Sequence, residues 1–600
     1  MRRTPWLDFL CIAALIWAGV LHWPTGDVSL SVAGPEPPAW GTMRDALLDG
    51  PDAGEWARCM LAFHDGRFTE LSTQRLPGWI VIVNAVMAFE ENVVRAGHLA
   101  NHLLNLSVGL TIFAIGRLWG NRWVGLGAGA LAMLSGHALS VSLRFGVDAA
   151  VVAMVPLSML GAVLAVRHWK LSVVSGVLAA LVTATHFSTL PYVLPAFAFI
   201  LMAGGRHRWL AAAGYLLGFG TLLYVLSLVF PVSTLEGFLV SIANGISPGY
   251  QGHGRVSDWN TALGIMSDGM DTALERSVAQ LLVQIRPGWL PWQAALILPW
   301  VGVLGVGLKR TDKADADWWD RTDLAMGMGL LFCLAPLPVF AAAQAPLRYG
   351  DNLSPLGALL LVRGMASVLW MAMALLRVSK HTGVTQVVYA ALGGAIFAGA
   401  IKDAKPARAL LYPTLEEVGY WQLGQALSSH FSPGSGVASP VREALVEGRL
   451  AYCPQRICPE QATEEAFWEC LSVHAMECDG TEPVGYVVTT ADLYDPNAVA
   501  RRDMDAWVAS RWEHVAEVKN PRFEAWIYQI PREEIPDLVK PGADWNAGGG
   551  AAPVGPPNGG PIGPSGPPIG PDGIPLPGPV KPPPGVEAPS SPLPAMPAGR

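Results

Sequence analysis

Residues 51–68 read PDAGEWARCMLAFHDGRF, a stretch that sets Asp52, Glu55 and Asp65 beside Arg58, Arg67 and a histidine. A carboxylate in a sheltered place can accept a proton from an attacking hydroxyl. A guanidinium nearby can hold a phosphate or carboxylate through paired N–H donors. Asp52, Glu55 and Trp56 belong to a segment expected to be helical until Gly66 ends it. The plainer reading of these charges is a solvated interfacial helix. Arg75 and Pro77 follow, at the mouth of the apolar run PGWIVIVNAVMAF, which is bounded by Glu90 and Glu91. That run is too short to span a bilayer and reads as a re-entrant or surface helix, of the kind that lines a cavity. Further along, His98, Asn101, His102 and Asn105 recur at helical spacing on one face. Such a face either lines a wet cavity, the reading taken for the histidines with Trp56, or glues helices together. Asp148 sits at the start of another apolar segment, as a functional carboxylate or a helix cap. Arg363 falls eight residues after Pro355, roughly 12 Å into its helix. With Arg348 and Tyr349 in the preceding turn QAPLRYGDN, it makes a cationic pair suited to a phosphate.

The elements that must position these residues are membrane spans. Of 600 residues, 51% are hydrophobic and only 15% charged, and the mean hydropathy is +0.34. These values describe a polytopic α-helical membrane protein. Spans of about 20 apolar residues fit at 6–23, 97–116, 123–141, 146–166, 171–187, 189–204, 209–230, 289–308, 324–343, 354–376 and 383–401, eleven in all. The leading MRR and the lack of a cleavage site read as a retained signal anchor. Basic residues alternate between connections, with Arg2, Arg3, Arg117, Arg122, Arg167, Lys170, Arg206, Arg208, Lys309, Arg310, Arg377 and Lys380 all on one side. That pattern predicts a cytoplasmic N-terminus and an extracytoplasmic C-terminus in a bacterial inner (plasma) membrane. The outer loops are then 24–96 and 231–288. No basic tract suggests nucleic acid.

Residues 1–401 thus form a membrane domain, 402–540 an extracytoplasmic α/β domain, and 541–600 a disordered tail. In the second region, TLEEVGYWQLGQALSSHF and RRDMDAWVASRW read as helices, the first with Thr414 and Glu417 as a capping box. VGYVVTTADLY, HVAEVK and FEAWIYQI read as strands. Cys453, Cys458, Cys470 and Cys478 are expected to form two disulfides, with three pairings open and a zinc site as the rival. The last 60 residues hold 19 Pro and 14 Gly without a three-residue period, which excludes collagen and a packed core. No phosphate-binding P-loop, HExxH, GxSxG or dinucleotide fingerprint occurs.

In order and sidedness these landmarks resemble the GT-C superfamily of polyprenyl-phosphate-sugar-dependent glycosyltransferases, in particular the protein O-mannosyltransferases and lipid A aminoarabinose transferases. That family carries an acidic D-E-x-x-Y motif in its first outer loop. Asp52 keeps the Asp, Ala53 replaces the Glu, and Trp56 takes the aromatic position. Arg75, Pro77 and Trp79 approximate the next landmark, Arg95 opens the following span, and Arg348, Tyr349 and Pro355 match an R-Y-x-x-x-x-x-P element. The resemblance implies transfer of a sugar, with inversion, from a polyprenyl-phosphate donor to a hydroxyl of a lipid, glycan or protein acceptor. Asp52 would be the base, with Asp148 or Glu55 positioning the acceptor or serving instead. Arg75, Arg348, Tyr349 and Arg363 would bind the donor phosphate. No cofactor is required by the motif set, and a divalent cation is the one candidate. The competing expectation is a transporter or lipid carrier, against which stand the absence of internal repeats and the large outer loop.

Overall fold

The computed structural model describes residues 5–21, parts of 35–48, 51–66, most of 75–230, 354–376, 382–404, 415–431, and, further on, 436–439, 451–452, 484–490 and 506–534. Outside these lie the expected spans at 289–308 and 324–343, the loop 231–288, Arg348, Tyr349, the four clustered cysteines and the 541–600 tail. The described residues all belong to one compact unit, Met1–Pro541.

The helices run α1 (Pro5–Leu21), α2 (Pro51–His64), α3 (Pro77–Met87), α4 (Val93–Trp119), α5 (Arg122–Leu134), α6 (Gly136–Ser142), α7 (Asp148–Arg167), α8 (Ser172–Thr183), α9 (Val193–Ala203), α10 (Arg208–Ser227), α11 (Ser354–Leu375), α12 (Thr382–Asp403) and α13 (Leu415–His430). Among the described residues, four helical stretches are long and apolar enough to cross a membrane: Val93–Leu118, Asp148–Arg167, Gly205–Ser227 and Gly383–Lys402. The expected spans at 123–141, 171–187 and 189–204 are shorter than anticipated. At Ser135 the backbone leaves the helix (ψ 145°), and its side-chain oxygen accepts from Ala138 N at 3.3 Å to start α6. After α8, the hydroxyls of Thr185 and Thr189 donate to the carbonyls of Leu181 and Val182. The polar THFST turn thereby satisfies carbonyls that the ending helix would leave open.

Capping fixes the limits of α4 and α5. Asn92 Oδ1 accepts from the amides of Val94 and Arg95, and Asn121 Oδ1 from those of Trp123 and Val124. Between them α4 and α5 approach backbone to backbone: a Cβ at Gly129 would lie 2.5 Å from the Gly109 carbonyl oxygen, and one at Gly116 2.8 Å from the Gly125 Cα. At the α8–α10 contact a Cβ on Gly176 would run into the Tyr215 carbonyl oxygen, and one on Gly218 into that of Val173. Small residues at such contacts let dispersion and close packing hold helices together where lipid removes the hydrophobic drive.

One end of the bundle is tied by charge. Arg117 Nε donates to Asp8 Oδ1 at 2.9 Å, Arg122 Nε lies 3.4 Å from the same oxygen, and Arg167 Nη2 donates to the Leu118 carbonyl at 3.2 Å. The start of α1, the end of α4, the start of α5 and the end of α7 therefore lie together, as an up-and-down path requires.

The C-terminal part of this unit carries α13 against a five-stranded sheet ordered β2-β1-β3-β5-β4. Its strands are β1 (Gly436–Ala438), β2 (Ala451–Tyr452), β3 (Val484–Thr490), β4 (Glu513–Asn520) and β5 (Phe523–Gln529). β1 pairs in parallel with β2 and β3, whereas β5 runs antiparallel to β3 and β4. Phe523, Ala525 and Ile527 alternate inward on β5, as a half-buried strand demands. The Tyr420 ring of α13 meets Phe523 edge-on at 5.4 Å. Residues 506–511 are helical, and α13, β3 and β5 fall within, and β4 overlaps, the helix and strands read from sequence, while Thr414 and residues 491–505 lie outside the described residues.

Gly176→Ala is expected to cost about 1–3 kcal/mol of packing strain, read as a lower apparent melting temperature of the purified protein. Gly394→Ala, where an added Cβ meets nothing within 4 Å, should leave it unchanged or slightly raised.

Candidate functional site

The connection between α1 and α4 folds into a helix pair capped by a tight turn. Pro51 and Pro77 open α2 and α3, where their fixed φ suits the first helical turn and the missing N–H costs nothing. Asn84 of α3 donates its side-chain amide to the Met60 carbonyl of α2 (3.2 Å) and to Ile80 O (3.0 Å), tying the two helices. Gly78 N donates to the Ala184 carbonyl at 2.7 Å, and a Cβ there would lie 2.6 Å from Thr185 Oγ1, so the start of α3 is pressed onto the end of α8.

On this support three of the expected site residues meet. Arg75 Nη2 contacts Glu55 Oε2 at 2.5 Å, with both side chains largely shielded, and its guanidinium lies 5.1 Å from the Trp56 ring centroid. Trp56 in turn meets Trp79 edge-on at 5.2 Å, and Trp79, fully buried, meets Phe145 at 5.2 Å. A guanidinium held between a carboxylate and an indole face is fixed in orientation and partly desolvated. Asp52 lies in the first turn of α2, three positions before Glu55 and so at a position on the same helical face. The structure does not describe its side chain.

Deeper, the turn before α2 is pinned to α4. Asp45 of the 3-10 turn Met43–Ala46 is 1% exposed. Its Oδ2 accepts from Thr42 N (2.7 Å) and Thr42 Oγ1 (3.0 Å), and its Oδ1 from His102 Nε2 (2.7 Å). Burial by itself would raise this carboxyl. The hydrogen bond and charge of His102, the charge of His98 and the Thr42 amide more than offset it and hold the group below its ordinary value of 3.8. One turn earlier on α4, His98 Nε2 donates to the Leu47 carbonyl at 2.9 Å, and the ring is fully buried. The expected cavity-lining histidines therefore face the 42–48 turn. Trp56, also expected to line a cavity, is 3% exposed in the aromatic cluster. Arg44 extends the same turn outward, donating from Nε to the Leu143 carbonyl at 3.3 Å and placing Nη2 3.8 Å from Glu417 of α13.

Asn101 donates to the Arg144 carbonyl (2.7 Å) and Asn105 to that of Met133 (3.2 Å), so both asparagines act as glue between helices. Arg95 reaches the Glu36 carbonyl at 3.0 Å. Asp148 is the first residue of α7, and Arg363 is half-buried in α11. Neither Asp45 nor Arg44 was picked out from the sequence. The available signal was the T-x-x-D spacing of Thr42 and Asp45, a capping-box pattern. Among the described residues no three His, Cys, Asp or Glu side chains gather in a way that could hold a metal ion.

No family model matches the chain, and no curated protein matches it in sequence. Solved structures do match in fold. ArnT from Cupriavidus metallidurans, bound to undecaprenyl phosphate, aligns over 88% of this chain and 98% of its own length, with a TM-score of 0.50 and 13% identity. The oligosaccharyltransferase of Archaeoglobus fulgidus, tethered to an acceptor peptide containing the NVT sequon, aligns over 89% of this chain and 75% of its own, with a TM-score of 0.52 and 12% identity. The chain shares their fold.

Because the Asp45 carboxyl is depressed in the folded state, its pairing stabilises the protein above the unfolded pKa near 3.8 and is lost as pH falls through the lower folded value. Asp45→Asn should therefore cost about 1–3 kcal/mol near neutral pH. The gap in melting temperature to the wild type should narrow below pH 4, measured by thermal unfolding across a pH series.

Proposed function

We propose that the protein is a membrane glycosyltransferase that moves a sugar from a polyprenyl-phosphate donor to a hydroxyl of a lipid, glycan or protein acceptor on the outer face of the inner membrane. The observation that carries this reading is a likeness over 88% of the chain to a protein solved with undecaprenyl phosphate, aligned over 98% of that protein. The Glu55–Arg75–Trp56 cluster supports it, since it supplies an oriented guanidinium in the connection where the family places its acidic motif.

In the proposed reaction the acceptor oxygen attacks the anomeric carbon from the face opposite the phosphate. Its proton passes to the Asp52 carboxylate, the bond between anomeric carbon and phosphate oxygen breaks, and polyprenyl phosphate leaves with the bonding pair. A single displacement inverts the anomeric configuration. Arg75, with Arg348, Tyr349 and Arg363 as further donors, stabilises the charge growing on the phosphate. Glu55, ion-paired to Arg75, takes the role of holding that guanidinium rather than of receiving the proton, and Asp148 positions the acceptor. The cytoplasmic N-terminus proposed from the basic connections puts α2 and α3 on the outer side.

Membranes carrying the wild type should transfer label from a radiolabelled polyprenyl-phosphate sugar, and Asp52→Asn should lower the rate by about 100-fold or more. Arg75→Ala should lower it as well, with Glu55→Gln intermediate. Equal transfer by wild type and Asp52→Asn would remove the base assignment. Movement of the labelled lipid across the bilayer with no transfer to any acceptor would replace the enzyme by a lipid carrier.

A further inference from the structure

The end of the bundle tied by Asp8 also carries a cationic surface of a different kind. From 149 to 235 the sequence contains no Asp or Glu, while Arg167, Lys170, Arg206 and Arg208 all fall within it. The fold brings the last three together, because the 3-10 turns Trp169–Leu171 and Gly205–His207 lie side by side, their Trp169 and His207 rings stacked at 6.0 Å and 27°. Lys170, Arg206 and Arg208 are exposed, and among the described residues none of them is paired with a carboxylate. Arg206 instead donates from Nε to His207 Nε2 at 2.8 Å, and the Arg208 guanidinium lies 5.5 Å from the Trp209 ring centroid. Around these cations the surface is apolar and aromatic: Trp209 is 67% exposed, Val174 55% and Leu210 54%.

Arg117 and Arg122, at the same end, share the Asp8 carboxylate. The two groups of cations are therefore chemically distinct. One closes an internal ion cluster, and the other leaves two guanidiniums and an ammonium facing outward from a ring of indoles and branched aliphatics. Indoles prefer the level of lipid headgroups, and cations beside them meet the phosphodiester layer.

We infer that the α7–α8 and α9–α10 turns form a binding surface for anionic phospholipid, with Lys170, Arg206 and Arg208 on the headgroup phosphate and Trp169 and Trp209 at the acyl boundary. This surface is independent of the proposed chemistry, being at the opposite end of α7 from Asp148 and of α4 from His98. An exposed cation near a charged bilayer contributes about 1 kcal/mol, or about fivefold, so removing three should weaken binding about a hundredfold.

The test uses the full chain in a neutral detergent, titrated with fluorescently labelled phosphatidylglycerol and, separately, with phosphatidylcholine carrying the same label. The wild type should prefer phosphatidylglycerol, and the preference should weaken as salt is raised. The triple variant Lys170→Gln, Arg206→Gln, Arg208→Gln should lose it, while Lys402→Gln, which removes a single exposed cation at the C-terminal end of α12, should keep it. Equal binding of both lipids by the wild type, or an unchanged preference in the triple variant, would overturn the inference. So would displacement of the labelled lipid by millimolar inorganic phosphate, which would mark a site for a soluble anion. If the triple variant has a lowered melting temperature, the salt dependence of the wild type decides alone: a preference indifferent to salt would equally overturn it.

Discussion

A single buried carboxylate organises the region that carries the proposed chemistry. Asp45 cannot be left unpaired at 1% exposure, because an isolated charge there would cost several kcal/mol. The donors that satisfy it come from its own turn and from α4, so its solvation by protein is the same thing as docking of the turn onto the bundle. Once the 42–48 turn is fixed, the chain has only a few residues before α2 begins at Pro51, and the start of that helix is fixed with it. Glu55 and Trp56 then meet Arg75 and Trp79 at distances set by the Asn84 tie between α2 and α3. Arg44 carries the constraint in the other direction, toward Glu417 and the sheet-bearing part of the unit. A charge buried in one turn thus ties together α2, α3 and the start of α4, and through Arg44 it reaches Glu417, hundreds of residues further along the sequence.

Much of this was legible from the sequence, and the parts that were not share a physical cause. Hydrophobic runs and basic connections marked most of the helices, since membrane insertion depends on local composition. The strands β4 and β5 were readable from alternation, because a half-buried strand repeats every two residues. The break at Ser135 was not, since serine is tolerated inside apolar helices and only the cap it makes to Ala138 shows that the chain has turned. Glu55, Trp56 and Arg75 were picked out individually, but their mutual pairing was not, because the contact between Glu55 and Arg75 crosses the link between two helices. His98 and His102 were placed on one face correctly, and what that face meets depended on Asp45 and Leu47, some fifty residues earlier. Periodicity reports which side of a helix is polar, and it carries no information about the partner.

The two ends of α4 illustrate different ways to place charge near a membrane. Toward its start the histidines are buried against backbone and carboxylate, in a cluster whose purpose is geometric. At its end Arg117 meets Asp8 across helices, and the neighbouring turns display cations with no acidic partner among the described residues. The first arrangement holds a loop where a site is proposed, and the second gives the bundle a face that a negatively charged leaflet would attract.

The glycine contacts have a consequence for how such a fold changes over time. Where Gly176 meets the Tyr215 carbonyl and Gly218 meets that of Val173, one side of the contact is main chain, which is the same whatever residue occupies the position. A larger residue at either glycine cannot be compensated by a smaller one opposite, because there is no side chain opposite to shrink. These positions should therefore drift little while leaving no correlated partner, so that the tightest helix contacts among the described residues would be the ones least visible to any search for co-varying pairs.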